Sequence, residues 1–179
     1  MDIQTLRNSL CNVNPCTSGT FTLEEKDKSA TLRKVFLCDI PSESLIVKMD
    51  NIRFNNFLKD QKTWGFNKHS DYLIITSDKL VFIEIKSKME VGQELKDECV
   101  QKFASDSCTL NYADKIFREL LSKTPFFENR ESHYVLLYQS PSISKTPTTL
   151  GTDSPNTSPN SFRKISVSND TTLSFRRTL

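Results

Sequence analysis

The chain has 179 residues and a mass of 20.5 kDa, with 26% charged and 36% apolar residues. That suits one domain with a tail. A net charge of only +2 excludes the global basic field of a general polyanion binder, and no apolar run approaches the ~20 residues a membrane span needs. The chain is expected to be soluble and cytoplasmic.

The charge is uneven. From residue 141 onward, Lys145, Arg163, Lys164, Arg176 and Arg177 face only Asp153 and Asp170, so residues 1–140 are slightly acidic. Five cysteines without CxxC spacing and two histidines do not make a zinc cluster, and they read as reduced thiols.

In chain order, "IQTLRNSL" predicts a short helix with Ile3, Leu6 and Leu10 on one face, broken by Pro15 and Gly19. "TFTLEE", "ATLRKVFLCDI" and "ESLIVKMDN" predict strands. "NFLKDQKTWGFNKHS" reads as a loop, in which Trp64 and Phe66 plug the sheet edge or stack on a base. "DYLIIT" and "LVFIEIKS", joined by "SDK", predict a hairpin of central strands, because apolar residues crowd both faces. The period then becomes helical over residues 91–123, as one helix or two, ended by Pro125. "HYVLLYQS" is again a buried strand. Strand, crossover helix and strand predict parallel pairing and an α/β sheet. Residues 141–161 are Ser/Thr/Pro-rich and read as a flexible loop. Residues 162–179 recover alternation around Asn169-Asp170, which reads as a terminal hairpin, two short strands or a tail.

The hairpin carries charge where buried strands should not. Glu84 and Lys86 share one face of their strand, one pleat repeat apart, and Asp71 lies opposite them if the runs pair. Buried charges cost several kcal/mol, on the order of 5, unless they are paired or bind metal. Two carboxylates with room for water are what Mg²⁺ takes. A neighbouring lysine can position a water and neutralise a phosphate. The plainer reading is an exposed cross-pleat ion pair on a solvated face.

Asp71, a turn, then Glu84-Ile85-Lys86 on an apolar strand followed by a helix resembles the PD-(D/E)xK nuclease superfamily over roughly residues 20–139. Ser70 stands where that motif has its proline. The resemblance implies a restriction-endonuclease-like core, a mixed central β-sheet flanked by helices, within residues 1–140. It implies Asp71, Glu84 and the Ile85 carbonyl as ligands of Mg²⁺ or Mn²⁺, and Lys86 as the residue that positions the water. Gln101 in "CVQKF" looks like the superfamily's helix glutamine, and Glu24 or Glu25 in "TLEEK", of which Glu25 is preferred, like its N-terminal acid. The short hydrophobic form is similar to small bacterial proteins of genome defence or mobile elements.

The expected activity is hydrolysis of nucleic acid, DNA rather than RNA. The alternative is a non-catalytic module of the same fold that binds nucleic acid or a partner protein. The near-neutral body favours that alternative, unless a homodimer or a partner recruits the substrate. Lys88, His69 and His133 read as polar surface or junction residues.

Overall fold

A computed structural model describes residues 13–25, 27–49, 68–140, 147–150 and 155–179, together with Ile3, Gln4 and Arg7. The segment with Trp64 and Phe66, and Leu6, Leu10 and Cys11, lie outside the described residues. Ile3, Gln4 and Arg7 are helical, as expected for that stretch.

The hairpin is the middle of the protein. β5 (Tyr72–Ile75) and β6 (Lys79–Lys86) pair antiparallel, Tyr72 opposite Ile83 and Ile75 opposite Leu80. Thr76 closes the turn by donating its N–H to the Lys79 carbonyl at 2.9 Å. All four residues of β5 are buried, as are Leu80 to Ile85 of β6, which is why both runs are apolar on both faces.

β1 (Val13–Pro15) and β4 (Leu45–Lys48) extend the sheet antiparallel on the β5 side. On the other side the chain leaves β6, runs through the 27-residue helix α1 (Gln93–Glu119) and returns as β7 (Glu131–Gln139), parallel to β6. That is the expected geometry, since parallel neighbours need a crossover. Among the described residues, β8 (Thr148–Leu150) and β9 (Arg163–Val167) complete a seven-stranded mixed sheet in the order β1-β4-β5-β6-β7-β9-β8.

The two faces are covered differently. On one, Leu95, Cys99, Phe103, Leu110 and Phe117 of α1 pack on Leu73, Leu80, Phe82, Tyr134 and Leu136. The spacing of those α1 residues makes a helical stripe. On the other face lies a second sheet rather than a helix, among the described residues. It consists of β2 (Phe21–Glu24), β3 (Lys34–Cys38) and β10 (Thr171–Ser174) in the order β10-β3-β2. Its Leu23, Val35, Leu37 and Leu173 bury against Ile46, Ile74, Val81 and Val135. Each fully buried side chain of this size contributes about 1.5–3 kcal/mol.

The C-terminal segment departs from a hairpin. Its turn is at Asn169-Asp170, as expected, with Asp170 at φ 60°. But β9 joins the large sheet parallel to β7, and β10 joins the small sheet parallel to β3. The two strands form an arch whose Ile165, Val167 and Leu173 meet in the core between the sheets.

The Ser/Thr/Pro-rich region is not structureless where it is described. β8 pairs with β9. Asn156 is 2% exposed, and its carboxamide donates to the Thr178 carbonyl at 2.9 Å and to the Tyr134 carbonyl at 3.4 Å. Its Oδ1 lies 3.1 Å from His133 Nδ1. One side chain that satisfies buried backbone groups can order a segment that lacks apolar residues. Residues 141–146 and 151–154 lie outside the described residues.

Four cysteines, Cys16, Cys38, Cys99 and Cys108, are free thiols. No helix among the described residues is long and apolar enough to cross a membrane.

Candidate functional site

Alternation along β6 turns Glu84 and Lys86 to the face of Leu80 and Phe82, beneath α1. The β5–β6 register ends at Tyr72–Ile83, and Asp71, just before β5, is bonded to the residues that flank Glu84 in sequence. Asp71 closes the pair at both levels. Its N–H donates to the Ile83 carbonyl at 3.1 Å, and its Oδ2 accepts the Ile85 N–H at 2.7 Å.

Glu84 is fully buried, at 0% exposure. Its Oε1 receives Lys102 Nζ at 2.6 Å and Lys86 Nζ at 3.0 Å. Its Oε2 has no hydrogen-bond partner among the described residues. Lys86 also reaches Glu98 Oε1 at 2.8 Å. Burial holds the Glu84 carboxyl above the ordinary carboxylate range, although both ammonium groups pull it down. Burial works against the ammonium of Lys86, but the Glu84 charge and the Glu98 hydrogen bond outweigh it and raise its pKa. Lys102 is likewise raised, the charges of Glu84 and Asp71 overcoming its burial. Next to these groups, burial and then the Glu84 charge push the Cys99 thiol up to about 12.

The partners come from α1 at four-residue spacing. Glu98 meets Lys86, Lys102 meets Glu84, and Asp106 meets His69 and Ser70. Residues i, i+4 and i+8 of a helix lie along one side, so three charges of alternating sign form a ladder above the sheet. Asp106 is fully buried; its Oδ1 lies 2.8 Å from His69 Nδ1, and its Oδ2 accepts the Ser70 N–H at 3.1 Å. His69 therefore spends its contact on Asp106, two positions before Asp71.

The expected residues divide into two sets. Asp71, Glu84, Ile85 and Lys86 come together, with Ile85 engaged through its N–H to Asp71. Gln101 is exposed, one position away from Lys102 on the helix, and shows no contact with the carboxylates among the described residues. Glu25 follows β2, in the sheet on the opposite face, where its Oε1 accepts the Asp27 N–H at 3.0 Å. Glu24 also lies there, its backbone N–H and carbonyl both bonded to the Tyr72 hydroxyl at 2.9 Å. Lys88 is exposed, and His133 is buried against Asn156.

Lys102, Glu98 and Asp106 are the additions that the sequence reading missed. The available signal was three charges spaced by four along the margin of the Leu95–Cys99–Phe103 stripe. Farther along the same row of the sheet, Glu84 is opposite Leu136 and Leu136 opposite Lys164. Lys164 Nζ sits 5.6 Å over the Phe162 ring, and burial, with Lys96 nearby, holds its ammonium below the ordinary lysine range.

Asp71 and Glu84, the latter with a buried oxygen unanswered among the described residues, are the oxygen donors here of the kind an Mg²⁺ ion takes along with water and phosphate oxygens. Among the described residues no group of three or more His, Cys, Asp and Glu side chains converges to hold a metal ion. No protein-family model, curated protein or solved structure matches the chain.

Proposed function

We propose that the protein is a divalent-cation-dependent nuclease of the PD-(D/E)xK type, which hydrolyses phosphodiester bonds of nucleic acid, DNA rather than RNA. The observation that carries this reading is the bonding of Asp71 to Ile83 and Ile85, the neighbours of Glu84 on β6, with Glu84 Oε2 unanswered among the described residues. A mixed sheet with α1 on the face of these acids is consistent with a restriction-endonuclease-like core.

Asp71 and Glu84 would hold Mg²⁺ or Mn²⁺, with the Ile85 carbonyl as a further ligand. The ion, when bound, supplies charge neutralisation at phosphate and a more acidic water. The chain's own residues do the rest. Lys86, fixed by Glu84 and Glu98, is a charged donor that orients the attacking water and a phosphate oxygen. The Asp71–Ile85 hydrogen bond holds the two strands in register, so the carboxylates keep their spacing. Lys96 of α1, with Lys164 of β9 nearby, is a cation that phosphates of an incoming strand would meet. Gln101 and Glu25 have no part in this chemistry as placed. A genome-defence or mobile-element role, with a homodimer or partner protein to recruit substrate, agrees with the near-neutral charge.

The test is incubation of purified protein with plasmid, single-stranded DNA and RNA in Mg²⁺, Mn²⁺ or EDTA. Cleavage is expected with the cations and lost in EDTA, in Asp71→Asn and in Glu84→Gln. Cleavage by Glu84→Gln at the parental rate overturns the assignment.

One observation favours a second reading, a non-catalytic module of the same fold that binds nucleic acid or a partner. Glu84 is fully buried and its Oε1 is answered by two ammonium groups, which neutralise the carboxylate without any ion. Under that reading no cation supports cleavage.

A further inference from the structure

The two lysines at Glu84 are not equivalent. Lys86 Nζ is shared, 3.0 Å from Glu84 Oε1 and 2.8 Å from Glu98 Oε1. Lys102 Nζ is closer, at 2.6 Å, and Glu84 is the carboxylate it contacts among the described residues. If Glu84 turned to another cation, Lys86 would keep Glu98 and Lys102 would lose its contact.

Charge points the same way. Among the groups of this corner that are buried or half-buried, Asp71, Glu84 and Glu98 bring three negative charges and Lys86 and Lys102 two positive ones; Lys88, near Glu98, is exposed and screened by solvent. A divalent ion added to that set leaves it positive. A divalent ion that takes the place of the Lys102 ammonium leaves it neutral. Neutral sets are what a site of low dielectric retains.

Lys102 is also built to leave. It is 15% exposed, on a flexible four-carbon stem from the side of α1, so its ammonium can swing to solvent while the helix stays packed through Cys99 and Phe103.

We propose that Lys102 is the placeholder for the divalent cation at Glu84: it neutralises the buried carboxylate in the cation-free protein and is displaced when Mg²⁺ or Mn²⁺ enters. The inference rests on the cation site of the proposed function and gives that site a mode of loading. Cation affinity is set by competition with an internal ammonium. The displaced amine lies beside the carboxylates, where substrate phosphate would arrive.

The test is calorimetric titration of Mn²⁺ into the parent, Lys102→Met and Lys88→Met. Lys88 is an exposed lysine just beyond β6, near Glu98, so its removal changes local charge without touching Glu84. Lys102→Met is expected to bind Mn²⁺ roughly tenfold tighter or more, the scale of one charge–charge interaction in a partly buried site. Lys88→Met is expected to match the parent within about twofold, as a screened surface charge does. Equal or weaker binding by Lys102→Met, or the same gain in both variants, overturns the proposal. If Lys102→Met does not show the parental circular dichroism, Lys102→Gln takes its place.

A second readout needs no variant. Mn²⁺ should raise amine acylation of Lys102 in the parent, followed by mass spectrometry, and leave that of Lys86 unchanged. No rise at Lys102 under saturating Mn²⁺ overturns the proposal. Mn²⁺ binding with these effects but without cleavage of any nucleic acid defeats the nuclease reading and leaves the placeholder standing. Absence of Mn²⁺ binding by every protein defeats both.

Discussion

Lys102 of α1 and Glu84 of β6 form the tightest contact between the helix and the sheet's charged corner, Nζ to Oε1 at 2.6 Å. Their exposures differ, 15% for Lys102 and 0% for Glu84, so the two ends of the bond are not interchangeable. Lys102→Met leaves a carboxylate that cannot reach water with Lys86 as its one ammonium partner and should cost about 2–3 kcal/mol. Glu84→Leu leaves Lys86 on Glu98 and releases Lys102, whose stem reaches solvent, and should cost about 0–1 kcal/mol. Urea denaturation of both variants in EDTA checks the asymmetry. Equal losses would show that the pair is not buried on the Glu84 side.

Glu98 gives the site a pH signature. Burial alone would raise its carboxyl, but the Lys86 hydrogen bond and charge outweigh burial and hold it below the ordinary range. A carboxyl depressed on folding contributes stability above its unfolded pKa, roughly 4.3, and loses that contribution as pH falls through the folded value. Glu98→Gln should therefore flatten the decline of stability below roughly pH 4.3. Thermal melts from pH 3 to 6 (roughly this carboxylate range) follow it; parallel acid limbs in parent and variant would contradict the assignment.

The cysteines should separate by environment. Cys99 is fully buried, and its thiol is pushed up to about 12, whereas Cys108 is exposed on α1. Reactivity follows the thiolate and its access. Iodoacetamide at mildly alkaline pH should label Cys108 in the folded protein and Cys99 only after denaturant is added, as read by peptide mass spectrometry. Labelling of Cys99 in the native state at the rate of Cys108 would mean that α1 does not stay on the sheet.

Asn156 should act as a rivet. Asn156→Ala removes the donors to the Thr178 and Tyr134 carbonyls and the contact with His133. A loss of about 2–3 kcal/mol is expected, since buried groups are left unanswered. Amide exchange should also rise across the segment from residue 155 to 161. A change below about 0.5 kcal/mol would place this side chain among ordinary surface substitutions.

Much of this architecture is written locally. The runs "DYLIIT" and "LVFIEIKS" are apolar on both faces, and they form interior strands of the large sheet. The helical period after Lys88 becomes α1, and the crossover makes β6 and β7 parallel. The contact of Glu84 with Lys86 follows from strand alternation, and one short turn brings Asp71 to the same strand at Ile85, so this neighbourhood could be read before any coordinates.

What could not be read depends on partners distant in sequence. The arch of β9 and β10 looks like a hairpin because both strands carry the same alternation; only the second sheet distinguishes them. Asn156 sits in a polar stretch whose order comes from carbonyls about 22 residues away. Lys102 reads as solvent-facing charge beside an apolar stripe. Helix rotation about Cys99 and Phe103, set by packing on Phe82 and Tyr134, decides that Lys102 and not Gln101 looks down at Glu84.

Anomalous diffraction from crystals soaked in Mn²⁺ tests the central claim most directly, because it asks whether Asp71 and Glu84 share an ion. The account predicts one strong peak about 2.0–2.3 Å from an oxygen of each carboxylate, with Lys102 Nζ withdrawn from Glu84. No peak at those carboxylates at saturating Mn²⁺, with Lys102 still bonded to Glu84, would contradict it.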